Sequence, residues 1–432
     1  MGRNMNRRVR EWLKNGMIAL LAVSAILLGR ETGLFNDFIS SIPLFDGVLG
    51  IFRSAAENED GSNPASGVIL REAARPSCIV ITQDGGLHYG VRYDTDEKDR
   101  IYERTSSIFG ETLGSALAPE EITTARWQEA LGSPGVYFEY DMPVSLPVLA
   151  GWLGARSSAD MPVGHLRRVC VTFGDEMNRI FFEDSETGLF YMADTASFGG
   201  RSQVFGMYTG NGAQFAFEAG LPAKECEPYM LLMPGSLHPI LTAANPVTPQ
   251  EELDGVLAVL GINSRLRPPY VDGDGTTVYI GAAFRVSVDA RGRAVFSQPD
   301  GYEAGGLTAG EGELIERARN VVFETIGKSC GDATVNFEAI TAQGDSIYSV
   351  TFGYYAAGGR IHLYEDGYAA KITFAGGKIT EMRLNFRSYG NSGELYELLP
   401  ERQALAASGT EFVLSYADSG GERLTPDWVK RK

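Results

Sequence analysis

SIYSVTFGYYAAGGRIHLYEDGYAAKITFAGGKITEMRLNF, residues 346–386, alternates apolar runs with glycine-bearing breaks. The runs 346–354, 361–364, 369–374 and 378–386 are rich in β-branched and aromatic residues. Between them stand Ala357-Gly-Gly359, Glu365-Asp-Gly367 and Gly376-Gly377. This spacing predicts an antiparallel meander, because glycine adopts the positive φ that tight hairpin turns require. Upstream, 333–339 predicts one more strand, and 311–326 places Leu314, Ala318, Val321, Val322 and Ile326 on one helical face. A helix followed by strands is therefore the expected C-terminal unit, 306–432.

The same order is expected once more, weakly, at 247–305. Thr248 can cap a helix with Glu251 three residues on, and Leu253, Val256, Leu257 and Leu260 follow at helical spacing. Residues 277–288 and 293–297 then read as strands around the turn Asp289-Ala-Arg-Gly292. A sheet-rich unit, 68–246, precedes it: a hairpin of 78–82 and 87–93 across Asp84-Gly85-Gly86, a helix over 94–116, and short strands at 136–140, 165–172, 179–183, 188–192 and 214–218. The predicted class is α+β, antiparallel sheets with helices packed on them. Residues 54–67 lack a large apolar side chain and read as a solvated linker.

The chain's 432 residues carry a net charge of −17, unevenly placed. Residues 1–14 hold Arg3, Arg7, Arg8, Arg10 and Lys14 against Glu11, a charge of +4, which leaves −21 on 15–432. A body so acidic is repelled by nucleic acid, and a nucleic-acid partner is not expected. Gly16 to Gly29 is an uncharged apolar run. It is shorter than the roughly 20 residues of a full span, but Trp12, Leu13, Leu34 and Phe35 can sit at the interfaces while Lys14 and Arg30 snorkel. The expectation is a transmembrane anchor at 15–35, with 1–14 a basic cytoplasmic segment and the body extracytoplasmic. A cleaved signal peptide is the competing reading; its A-x-A-like pattern, at Ala22 and Ala25, falls inside the run. On a helix Ala22, Ala25 and Gly29 fall within about 60° of one another with Ala19 at the margin, so a second helix could approach there. A generic lipid-facing anchor carries such residues equally well.

Catalytic signatures are missing. His88, His165, His238 and His362 are far apart in sequence, without HExxH or HxH, and His88 and His362 read as half-exposed strand residues. Cys78, Cys170, Cys226 and Cys330 form no CxxC, and both two disulfides and four isolated thiols fit. Gly327-Lys-Ser329 lacks the upstream glycine of a P-loop, since Val322 stands there. Asp272-Gly-Asp274 has Thr277 and Ala283 where a calcium loop needs glycine and glutamate. Thr209-Gly-Asn-Gly212 lacks the third glycine of a dinucleotide fingerprint. Acidic pairs such as Glu183-Asp184 read as solvated surface. No catalytic residue, metal site or cofactor is expected.

The basic start, the run Leu13 to Gly29 and Gly33-Leu-Phe35 resemble the anchor of the YycH-type regulators of Gram-positive bacteria. Trp127-Gln-Glu-Ala-Leu131 leading to 136–140, Thr277-Val-Tyr-Ile280 with the turn at 289–292, Leu398 to Leu405, Leu414-Ser-Tyr416 and Leu424-Thr-Pro-Asp-Trp428 are similar to that family's extracytoplasmic domains. The tail departs from the pattern: after Trp428 come only Val-Lys-Arg-Lys432, where a complete PepSY-like unit adds another strand. The resemblance implies a non-enzymatic, single-pass membrane protein with YycI-like and PepSY-like units outside the cell. It also implies its partners: a YycI-like co-regulator and the cell-wall sensor histidine kinase called WalK or YycG. An extracytoplasmic wall or peptide hydrolase, and a PepSY-like peptidase inhibitor, are the alternatives.

Overall fold

Cys78–Thr82 (β1) is an almost unbroken apolar run, and all five residues are buried. Side chains alternate between the two faces of a strand, so such a run needs a cover on each face. It has both. The computed structural model describes residues 71–431 except 156–163, 175, 197–198, 200–203, 205, 221–226, 248–253, 255–268, 282–283, 304–309, 345 and 409. The expected segment 1–14, anchor 15–35, linker 54–67 and helix at 248–260, its single position 254 apart, lie outside the described residues. Among the described residues no helix is long and apolar enough to cross a membrane.

β1, His88–Val91 (β2), Glu120–Ile122 (β3), Gly135–Ser145 (β4), His165–Phe173 (β5), Asn178–Asp184 (β6) and Phe190–Asp194 (β7) form one antiparallel sheet in the order β2-β1-β4-β5-β6-β7-β3. Thr95–Gly114 (α1) begins where Asp94 accepts a hydrogen bond from the Glu97 amide at 2.9 Å, with Asp96 and Glu97 in the first turn beside the positive end of the helix dipole. Its Ile101, Phe109 and Leu113 cover one face of the sheet, and Phe109 stacks on Phe138 at 4.6 Å. The opposite face, with Val80, Tyr137 and Phe181, lies under Trp127 of Thr124–Leu131 (α2) and under Phe215 and Leu231. Leu146–Trp152 (α3) follows β4 and packs into the first core. Phe215 and Leu231 belong to a ribbon of Gln214–Phe215 (β8) and Leu231–Leu232 (β9). The strand expected at 214–218 stops after two residues, because the Glu218 amide turns back to the Phe215 carbonyl at 3.0 Å.

Leu237–Ala244 (β10) leads out of this sheet. Tyr270–Val271 (β11), Thr277–Ile280 (β12), Arg285–Val288 (β13) and Arg293–Glu303 (β14) then pair consecutively. The single strand expected at 277–288 is two: Gly281 breaks the run, its amide bonds the Phe284 carbonyl at 2.8 Å, and Thr277 faces Val288. Glu311–Glu324 (α4) buries Leu314, Ile315, Ala318, Val321 and Val322 against the strands that follow. These are Thr334–Gly344 (β15), Ile347–Ala356 (β16), Gly359–Leu363 (β17), Ala370–Ala375 (β18) and Lys378–Asn385 (β19). Ser388–Glu397 (β20), the helix Glu401–Ser408 (α5), Phe412–Asp418 (β21), Arg423–Leu424 (β22) and Pro426–Lys430 (β23) complete the described chain.

Eleven strands share one sheet, in the order β11-β12-β13-β14-β19-β18-β16-β17-β21-β23 with β15 also on β16. The meander is real but not simple. Residues 354–356 of β16 pair with β17, residues 347–352 pair with β18, and β17 leaves to run parallel to β21. Strands from the expected 247–305 and 306–432 units meet in this sheet at β14 and β19, and β10 pairs with β20. One apolar cluster runs from Ala74 to Leu424.

Candidate functional site

Ala19, Ala22, Ala25 and Gly29, the expected helix-packing residues, lie outside the described residues. The histidines are all described, and His88 corrects its expectation. It is buried, 5% exposed, because β8 and β9 cover the face of β2 on which it stands. Its Nδ1 lies 3.0 Å from Thr82 Oγ1 and its Nε2 2.9 Å from Glu218 Oε1, while Glu218 Oε2 accepts from the Phe215 amide at 2.9 Å. The three polar groups tie the hairpin to the ribbon; Thr82 and His88 are both sealed from solvent. His165 pairs with Glu186 at the surface, and His362 stands half-buried beside the Arg360 guanidinium. His238 is wedged between the rings of Tyr93 and Trp428, at 4.8 and 5.3 Å, with neither nitrogen hydrogen bonded, and burial pushes its pKa down to about 4.

Cys78, Cys170 and Cys330 are free and buried, so the two-disulfide reading falls; Cys226 lies outside the described residues. Burial pushes the Cys78 and Cys170 thiols up to about 11 and about 12, which keeps them protonated and unreactive. Among the described residues no group of three or more His, Cys, Asp and Glu could hold a metal ion.

The densest buried charge surrounds Glu139 of β4. Arg92 and Arg167 each reach it at 2.9 Å, Arg431 at 3.7 Å and Arg168 at 3.8 Å. Burial alone raises a carboxyl, but the four guanidiniums outweigh it and hold Glu139 at about 2. Glu411 bridges Arg167 and Arg431 at 3.1 and 2.8 Å, and Arg168 turns the other way to Glu183 and Glu227 at 2.8 and 3.2 Å. Glu411 precedes β21 and Arg431 follows β23, so the network joins the two large sheets.

A cleft of about 600 Å³ lies at the other end of those C-terminal strands. β17 and β21 form the single parallel ladder among the described strands, with Leu363 opposite Asp418. Parallel strands leave a ladder at the same end, so the segments 364–366 and 419–422 diverge and open a gap. The β13–β14 turn forms the facing wall, held by Asn245 Nδ2 donating to the Ala290 carbonyl at 3.0 Å. Gly292 in that turn has φ +87° and passes so close that a Cβ would lie 2.6 Å from the Phe386 carbonyl oxygen. The floor is a buried, two-pronged ion pair: Arg387 Nε and Nη2 lie 2.7 and 3.0 Å from the Asp418 carboxylate. Tyr389 donates to the same carboxylate at 2.9 Å and the Gly420 amide at 2.8 Å. Above the floor Arg291 pairs with Glu365, and Arg293 Nε meets Asp289 at 3.2 Å.

Sequence reasoning found the turns at 289–292 and 365–367 but not their meeting. Nothing in the chain order signals that β17 abandons the meander for β21, 55 residues downstream. Arg387 and Asp418 carry no motif, and each is ordinary in its own segment.

No protein-family model matches the sequence, and no curated protein matches it. The fold is similar to that of YycH from Bacillus subtilis, known from its crystal structure, with a TM-score of 0.52 at 13% sequence identity. The likeness covers 84% of this chain and 94% of that one. At that identity it is a likeness of fold: the described body has a YycH-like fold.

Proposed function

We propose that the protein is a membrane-anchored extracytoplasmic regulator of a two-component sensor histidine kinase that controls cell-wall metabolism, acting through protein–protein contacts. The observation that carries this reading is the YycH-like fold across most of the chain. It agrees with the family resemblance of the dispersed sequence segments. The expected anchor at 15–35 is in keeping with this reading, since a helix in the bilayer can meet a partner's helix there. The partners proposed are the kinase and a YycI-like co-regulator, met through the bilayer helix, the PepSY-like exterior, or both.

Deletion and co-purification test the reading. The deletion strain should show altered kinase output under wall stress, and the tagged full-length chain should co-purify with the kinase or the co-regulator from membranes. Unchanged wall-stress signalling together with no kinase contact sinks it.

A further inference from the structure

We propose that the cavity between the first sheet and the α4–β15 segment binds a free α-amino acid with an apolar side chain. Lys98 would meet its carboxylate and Asp141 its ammonium. The cavity, of about 220 Å³, has α1 and β4 on one side and α4, β15 and the turn after β16 on the other. It is smaller than the roughly 300 Å³ at which drug-sized ligands begin, so its occupant is a small molecule. Most of the charge in its lining is matched within the chain. Arg75 pairs with Glu72 and Asp99 at 3.4 and 3.1 Å, Arg319 pairs with Glu316 at 2.8 Å, and Asp332 accepts from the Asn391 amide at 3.0 Å. Lys98 and Asp141 are the exceptions: among the described residues neither side chain makes an ion pair or a hydrogen bond. They act on one another all the same. Asp141, ahead of Asp99, is the strongest negative charge acting on Lys98, yet burial outweighs both and pulls the lysine below its ordinary pKa. Two opposite charges are thus held apart in one cavity, each short of a partner. An α-amino acid carries the complementary pair one carbon atom apart and satisfies both at once, whereas a lone anion or cation leaves one of them unmet.

Two further features favour a carboxylate at Lys98. The residue stands in the first turn of α1, at the positive end of the helix dipole, where a cation is unfavourable and an anion favourable. Arg75 Nε, in the same lining, is buried without a hydrogen-bond partner and supplies a second donor. Asp141 lies where β4 slips its register against β5, between Glu139 and Val144, an irregularity that re-aims side chains out of a ladder. Trp152, Val322, Phe323 and Phe337 add an apolar wall on which the ligand's side chain can lie. The wall at 355–358 is fixed in place: Gly358, with φ +74°, passes so close to the start of α1 that a Cβ would lie 2.6 Å from the Arg92 carbonyl oxygen. Little order has to be created on binding.

The inference goes beyond the regulator reading and does not depend on it. The test is isothermal titration calorimetry of the full-length chain in detergent with L-leucine, leucinamide, which lacks the carboxylate, and N-acetylleucine, which lacks the ammonium. Leucine should bind with a Kd below about 1 mM, and each derivative at least about tenfold more weakly, as expected when a desolvated charge loses its partner. Lys98→Met should abolish the preference for leucine over leucinamide while keeping that over N-acetylleucine, and Asp141→Asn should do the reverse. A merely structural role for either residue would not produce that crossed pattern. Lys430→Met, at an exposed position outside the cavity, should leave leucine binding within about twofold. Thermal melts check that the variants stay folded, and the comparison of the three ligands on the wild-type chain needs no variant. No leucine binding at about 10 mM overturns the proposal and is what a direct Lys98–Asp141 pair predicts. Equal binding of leucine and either derivative, both preferences kept in the two variants, or an equal loss in Lys430→Met also overturns it. Kinase co-purification is read separately: leucine binding absent with kinase contact kept overturns the cavity alone, and the reverse overturns the regulator reading alone.

Discussion

Glu139 and His238 solve the problem of a buried titratable group in opposite ways. Glu139 stays charged because four arginines converge on it; His238 is held toward its neutral form because it is buried between two aromatic rings with no hydrogen-bond partner among the described residues. Glu139→Gln should cost about 3 kcal/mol or more in urea unfolding, since removing one partner leaves buried guanidiniums uncompensated. Both groups have a folded pKa below the ordinary one, so both contribute stability at high pH that is lost as pH falls. For His238 the loss begins near its ordinary 6.5, where the unfolded chain takes up the proton first, and is complete near 4. For Glu139 it runs from 4.5 down to about 2. His238→Phe keeps the ring contacts and should flatten the upper window while leaving the lower one, as read from unfolding midpoints between pH 7 and 3. An unchanged upper slope would mean that His238 is protonated in the folded protein.

Among the elements, β2 shows how an edge strand is protected. Its outer edge meets no further strand among the described residues, yet Gly90 is satisfied there: its amide donates to Asn211 Oδ1 at 3.1 Å and its carbonyl accepts from Asn211 Nδ2 at 2.8 Å. One asparagine side chain takes the place of a neighbouring strand. Gly90 has to be glycine, because a Cβ would lie 2.6 Å from Leu231 and 2.8 Å from Ala213. This is the work of the Thr209-Gly-Asn-Gly212 stretch, which lacks the glycine needed to bind a dinucleotide. Asn211→Ala should destabilise the protein by about 2 kcal/mol and speed hydrogen exchange at the Gly90 amide, because both buried backbone groups lose their partner. Protection at Gly90 equal to that of wild type would show that the edge is closed by something else.

At the scale of the whole molecule, the proposed anchor and the described body make separate contributions. Replacing Ala22 and Ala25 together by Leu keeps the run apolar, so the chain should stay in washed membranes while its co-purification with kinase or co-regulator falls several-fold. Undiminished co-purification would make the helix an anchor only and leave recognition to the exterior. Within the body, Glu411 and Arg431 clasp the end of the large sheet to β4 and β5. The sequence alone determined the local pieces. The helix expected over 94–116 and found at 95–114, the hairpin expected of 78–82 and 87–93, and the turns at 289–292, 357–359, 365–367 and 376–377 follow from alternation, acidic residues at a helix start and glycine, which act over a few residues; the breaks at Gly281 and after Phe215 did not show in the sequence. Which strand lies beside which was decided only in the tertiary structure, as were the burial of His88 under β8 and β9, the four arginines around Glu139 and the cleft beyond β17 and β21. Each of these depends on contacts between residues tens to hundreds of positions apart. Packing and charge pairing select such contacts from many that are locally equivalent, and no short stretch of sequence encodes the choice.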